Sequence, residues 1–164
     1  MYIITKVKIM ILTKQHILDF LKKYQLMVVA TYGDYPWIAS VYYSFDPNLN
    51  LYFLSDPETL HCRQIASNPK VTVAIADSRQ KPNEFKKGLQ IYGIATQISD
   101  ANKIKHALNL WKHALQVTDP ELTYQNMLKK IVKGRMYKIT PKIIKFFNQK
   151  LFKVEDGQEP ILEM

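Results

Sequence analysis

The chain has a single cysteine, five glycines and no long apolar run, and each scarcity removes a class of protein. Cys62 has no partner for an internal disulfide and too few thiols around it for a zinc cluster, which points away from stapled secreted scaffolds and towards a reducing cytoplasm. With five glycines, eight prolines and no repeated or biased tract, collagenous, linker-like and low-complexity architectures are excluded. No segment approaches the roughly 20 apolar residues that a membrane-spanning helix needs, so no membrane partner is expected. The opening Met1–Leu12 is apolar, but Lys6 and Lys8 interrupt it and no small-residue cleavage site follows, so it does not read as an export signal. Met1 and Met10 both stand as candidate starts. The familiar catalytic signatures are missing too: there is no phosphate loop, G-x-G-x-x-G, H-E-x-x-H, C-x-x-C or G-x-S-x-G.

What is present is ordinary globular material. In 164 residues, 47% are hydrophobic, 12% aromatic and 23% charged, enough for one sizeable core and one domain over 1–164. The net charge of +9 would attract a phosphate-bearing partner. Much of it lies between Lys129 and Lys153, before an acidic tail of Glu155, Asp156, Glu159 and Glu163. A solvated basic face explains that run most simply. Nucleic-acid binding through Tyr137, Phe146, Phe147 and Phe152 is the sharper rival, yet those aromatics alternate with lysines as a barrel strand requires, so nucleic acid is not the expected partner.

Periodicity orders the elements. Thr13 suits a helix cap, and Ile17, Phe20, Leu21 and Tyr24 form one apolar stripe behind it. Leu26–Tyr32 and Trp37–Phe45 read as a hairpin around Gly33-Asp34-Tyr35-Pro36, and Leu51–Leu54 as a third strand. A short helix over Glu58–Ala66 stops at Asn68-Pro69, and Val71–Ala76 is strand-like. Asp77–Lys87 reads as a long loop, and Leu89–Ser99 alternates, with Gly93 marking a bulge or close approach. Asp100 caps a helix carrying Ile104, Ala107, Leu108, Trp111 and Leu115 on one face. Asp119-Pro120-Glu121 opens another, running to about Val132 and ended by Gly134, so that the helical insertion spans about 100–134. Arg135–Thr140 and Ile143–Phe147 then read as two strands around Pro141. Short strands in hairpin order give a mainly β, α+β fold: an antiparallel split β-barrel of six to seven strands with peripheral helices.

Candidate chemistry is sparse. His106 and His113 could share a helix face, but a pair of surface histidines is the ordinary reading, and no metal site is expected. Cys62 reads as small apolar packing rather than a nucleophile. The junction Leu51-Tyr-Phe-Leu-Ser-Asp-Pro-Glu-Thr-Leu-His-Cys-Arg63 stands out, because a strand there ends in hydroxyl and basic residues and enters a helix. Free N–H groups at a helix start, the Ser55 and Thr59 hydroxyls, and His61 and Arg63 could converge on a phosphate. Equally, Ser55 or Asp56 could do no more than cap that helix.

In order, Ala30-Thr31, Pro36, Trp37–Phe45, Tyr52-Phe53, Ser55, Thr59-Leu60-His61 and Asn68-Pro69-Lys70-Val71 resemble the FMN-binding split-barrel family related to pyridoxamine 5'-phosphate oxidase. The resemblance covers roughly Thr13 to Ser99, and Tyr137–Phe147 resembles the family's closing strands. It implies FMN as cofactor, with Ser55 and Thr59 on the phosphate and His61 where the family usually has a lysine. It also implies Ser40, Val41 and Tyr42 along the isoalloxazine, and Gln90 reaching the ring or phosphate from the next strand. A homodimer sharing two flavin sites is implied, with electron transfer from a reduced nicotinamide nucleotide and no catalytic side chain identified. The sequence departs from true pyridoxamine phosphate oxidases at Ala39 and Ser44, where they carry arginine and lysine, and its Glu-Pro-Ile-Leu-Glu-Met164 tail lacks their Arg-Leu-x-Pro ending. Those departures keep open a cofactor-free binding or stress-response module on the same fold.

Overall fold

The computed structural model describes residues 10–155 and 157–164. The apolar opening, including the Met1 start, and Asp156 of the acidic tail lie outside the described residues. Seven strands order as β3-β2-β1-β4-β5-β6-β7, and an additional β3–β6 pairing closes the first six into an antiparallel barrel. They are β1 (Leu26–Tyr32), β2 (Pro36–Phe45), β3 (Leu51–Ser55), β4 (Lys70–Ala76), β5 (Lys87–Gln97), β6 (Arg135–Asn148) and β7 (Ile161–Glu163). Alternation builds the core: Met27 and Val29 of β1, Val71, Val73 and Ile75 of β4, and Leu51 and Phe53 of β3 all point inward and are buried. Among the described residues, no helix is long and apolar enough to cross a membrane.

Two short helices stop the mouths of the barrel. The helix α1 (Lys14–Leu21) is capped by Thr13 in a reciprocal arrangement with His16, and its apolar stripe buries Ile17, Phe20 and Leu21. Phe20 packs on Phe146 at 5.1 Å, and the Tyr43 hydroxyl donates to the Leu21 carbonyl at 3.2 Å. The helix α2 (Leu60–Ser67) closes the other mouth, with Cys62 and Ile65 in the barrel core. Cys62 therefore packs as the sequence suggests, at 2% exposure.

Between β5 and β6 lie α3 (Ala101–Leu115) and α4 (Tyr124–Leu128). Asp100 caps α3 through the Lys103 amide at 2.8 Å. Ala107 and Leu108 join Tyr52, Leu122, Met127 and Met136 in a second, smaller core on the outside of the barrel.

Three sequence expectations are corrected. The second late helix does not begin at Asp119-Pro120-Glu121, where the Asp119 carboxylate caps a turn at the Glu121 amide; Thr123 is the cap of α4, through Asn126 N at 3.1 Å. It does not run to Val132 or end at Gly134 either, because Lys130 adopts a left-handed φ of 59°. The two strands around Pro141 are one continuous β6, whose register against β5 shifts between Tyr92 and Gly93, with Gly93 opposite Pro141 and Tyr92 opposite Ile143. Pro141 is tolerated at this irregularity, where a missing N–H leaves no gap in a regular ladder. A β-carbon on Gly93 would lie 2.7 Å from the Thr140 carbonyl oxygen, which is the close approach its position suggests. Two elements carry too little periodicity to read: α5 (Gln149–Phe152), capped by Asn148, and β7, which pairs Ile143–Lys145 of β6.

Candidate functional site

The β3–α2 junction forms from the end of one strand and the start of the helix that plugs the barrel. Asp56 accepts from the Glu58 amide at 2.9 Å and turns the chain, after which Thr59 takes the N-cap position of α2 with extended backbone. Neither Ser55 nor Asp56 caps the helix, and among the described residues no N-cap side-chain hydrogen bond is made. The amides of its first turn are left without that partner, at the positive end of the helix dipole.

Three of the residues expected around a phosphate come together here. The His61 imidazole is buried, and its Nε2 lies 2.7 Å from Ser55 Oγ and 3.3 Å from Thr59 Oγ1. The Thr59 hydroxyl donates to the Asp56 carbonyl at 2.7 Å. In the tautomer with its proton on Nε2, His61 donates to these oxygens and leaves the Ser55 hydroxyl free to donate to an anion.

The ladder adds a residue that local sequence reading misses. Ser55 pairs with Arg135 across β3–β6, which brings a permanent cation to the strand end beside the His61 imidazole. Its guanidinium donates to the carbonyls of Val132, Lys133 and Gly134, which fixes its place beside the junction. Arg135 and Ser55 are far apart in sequence, so only closure of the barrel reveals the pairing. Arg63, by contrast, is exposed and donates to the Glu58 carbonyl.

Behind the junction lie Cys62 and Tyr137, the latter stacked on Phe53 at 5.1 Å and donating to Gln97 at 3.2 Å. Burial pushes the Tyr137 phenol well above its ordinary range, and its contact with Cys62 adds to the effect. Burial also pushes the Cys62 thiol up, but the polar groups of His61, Thr59, Tyr137 and Ser55 outweigh it, so the net direction is downward.

The residues expected along the isoalloxazine lie on β2, next to β3. Tyr43 pairs with Phe53, so the same register continued sets Val41 level with Ser55. Val41 is buried towards the core, whereas Ser40 and Tyr42 face outward and are exposed. Gln90 does not join the junction within one chain. It lies on the outer side of β5, paired with Ala74 and Lys145, and β5 is separated from β3 by β6. There it borders a shallow apolar groove formed with Val28, Ala30, Ile38, Tyr92 and Ile143. The aromatics of the nucleic-acid reading are mostly interior: Tyr137, Phe146 and Phe152 are buried and present no stacking surface.

Among curated proteins no sequence matches. Among solved structures, a candidate pyridoxamine 5'-phosphate oxidase from Listeria innocua superposes with a TM-score of 0.63 at 24% identity, over 81% of this chain and 96% of that one. The heme binding protein from Mycobacterium smegmatis superposes at 0.70 with 12% identity, over 94% of this chain and 59% of that one. General Stress Protein 26 from Bacillus anthracis gives 0.62 and 18%, over 92% and 98%. At these identities the likenesses establish the fold alone. The sequence itself carries the family: residues 13–135 match the pyridoxamine 5'-phosphate oxidase model, most of the chain, and the chain belongs to that family.

Proposed function

We propose that this chain is a single-domain FMN-binding protein, an oxidoreductase of the pyridoxamine 5'-phosphate oxidase type fed by a reduced nicotinamide nucleotide. The observation that carries this reading is the convergence of Ser55, Thr59 and His61 within hydrogen-bond distance at a helix start that no side chain caps. That arrangement fits a phosphate monoester: the Ser55 hydroxyl held by His61, the α2 amides that no N-cap side chain engages, and the nearby Arg135 supply donors and positive charge, while Thr59, committed to the Asp56 carbonyl, braces the turn. Ser40, Val41 and Tyr42 extend from the same end of the barrel and would hold the ring by backbone and side chain.

FMN supplies the hydride and single-electron chemistry that side chains lack. The contribution of the chain is to bind and orient. Ser55 and the α2 amides hold the phosphate, His61 keeps the Ser55 hydroxyl aimed, and Arg135 lends positive potential near the phosphate. A second copy of the chain covers the outer face on which Ile38 and Tyr42 are 66% and 59% exposed, and brings its own Gln90 within reach of the site. The segment 100–134 acts as an insertion on this domain. The lone, buried Cys62 suits a reducing cytoplasm.

A second reading, a cofactor-free binding or stress-response module, is favoured by one observation. Ser44, at a position where true oxidases carry a lysine, is buried beside the second core with its hydroxyl unpartnered. An absorbance spectrum of purified protein, incubated with excess FMN and desalted, separates the two. Retained flavin absorbing near about 450 nm in a dimer-sized species, lost in a Ser55→Ala/Thr59→Ala variant, is the expected result. A colourless wild-type protein would favour the cofactor-free module, and undiminished flavin in the double variant would overturn the site assignment.

A further inference from the structure

A different cavity lies outside the barrel, where the start of α3 overhangs the ends of β5 and the middle of β6. It encloses about 590 Å³, within the range that holds small organic ligands. Its lining is chemically lopsided. Lys103 and Lys138 enter it and pair with no carboxylate among the described residues, and His106 stands beside them. Asp100 is the acidic residue that lines it, and one of its oxygens is occupied in capping α3 at the Lys103 amide. Thr96 and Thr140 also line the cavity, and among the described residues no side chain hydrogen-bonds to either.

The floor is of another kind. Tyr52 is almost wholly buried between the barrel and the second core, and its hydroxyl is held by Asp46 at 2.9 Å, so the cavity meets a fixed ring rather than a polar tip. An apolar floor with unpaired ammonium groups and free hydroxyls at the rim is complementary to an anion on a flat body. This site is separate from the β3–α2 junction: it is built on the outward residues of β3 and β6, whereas the junction closes the barrel mouth.

We propose that this cavity binds a small aromatic acid, its carboxylate or phosphoryl group between Lys103 and Lys138 and its ring on Tyr52. The test titrates the isotope-labelled full chain with phenyl phosphate, benzoate and neutral benzyl alcohol, following backbone amide resonances. Saturable shifts at Ser99, Lys103 and Thr140 are expected with one or both acids and not with the alcohol; the tighter acid identifies the headgroup. A Lys103→Gln/Lys138→Gln variant, with the core amides of Val73 and Ile91 unmoved, should weaken binding about tenfold or more. The proposal is overturned if neither acid gives saturable shifts, if the alcohol binds as tightly, if the shifts fall at Ser55 and His61 instead, or if the folded double variant binds as well as the wild type. Flavin retention does not enter this readout, so the two sites stand or fall separately.

Discussion

Replacing Gly93 by alanine tests whether the close crossing of β5 and β6 depends on a missing side chain. The added β-carbon would sit 2.7 Å from the Thr140 carbonyl oxygen, 3.0 Å from Ile139 Cγ2 and 3.2 Å from Pro141 Cα. Two of those three atoms are backbone of the partner strand, so they cannot rotate away as the end of a flexible side chain would. Relief requires β6 to move where its register already shifts, and overpacking of this kind costs about 1–3 kcal/mol. Alanine returns roughly 0.5–1 kcal/mol by restricting the unfolded chain and favouring the strand, leaving a net loss of about 0.5–2 kcal/mol. An unfolding entropy of about 2.1 cal/mol/K per residue over 164 residues is roughly 0.34 kcal/mol/K, so Tm should fall by about 1.5–6 °C. Calorimetry, with urea midpoints as a second measure, would detect that. A variant as stable as the wild type, or more stable, would refute the reasoning, since β6 would then yield without penalty.

Two further outcomes are expected. Thr31 and Gln64 are both buried, and the Thr31 hydroxyl donates to Gln64 Oε1 while Gln64 Nε2 donates to the Tyr35 carbonyl at 3.0 Å, tying β1 and its hairpin turn to α2. Thr31→Val leaves a buried amide oxygen without a donor and should cost about 1–2 kcal/mol in urea unfolding; an unchanged midpoint would show that the bond contributes nothing. Glu159 is held below the usual carboxylate range by backbone hydrogen bonding and by Lys145, whose Nζ lies 3.1 Å away. A lowered folded-state pKa gives stabilisation that is present above the ordinary glutamate value and lost as pH falls through the folded one. Amide protection in β7, corrected for the intrinsic exchange rate, should therefore fall below about pH 4.3, and Glu159→Gln should flatten that dependence.

The fold was legible wherever burial follows a simple period. The alternation of Val71, Val73 and Ile75, and the stripe of Ile17, Phe20 and Leu21, are local consequences of facing one core, so their strands and helix could be read directly. The misreadings came where distant chain decides. Whether Pro141 breaks a strand depends on Gly93 opposite it, and the extent of α4 depends on Thr123 displacing Asp119 as cap. The site divides in the same way. Ser55, Thr59 and His61 sit within seven residues of chain and are readable as a group, whereas Arg135 reaches Ser55 only through barrel closure. Gln90 lies on β5, which the order β5-β6-β3 separates from the junction by one strand, and that order too is set by barrel closure rather than by local sequence.

The outer surface of the barrel is unevenly covered, and this links the separate observations. On the β3–β6 side, α3 and α4 bury Tyr52 and Met136 beneath a second core, and Trp111 anchors α3 by donating to the Tyr42 carbonyl at 3.0 Å. On the β1–β2–β4–β5 side no element among the described residues covers Ile38, and Ile143 of β6 is 39% exposed at the same groove. Among the described residues strand edges remain at β7 and along Pro36–Tyr42 of β2, which pairs with β1 but meets β3 only from Tyr43 onward. The open face beside that β2 edge also carries Gln90. In the proposed dimer, a second copy docked there would bring its Gln90 to the barrel mouth while leaving the α3 cavity, on the covered side, accessible. The helices α3 and α4 cover one side of the barrel with an intrachain core, and the uncovered side is the one on which the proposed association would place Gln90.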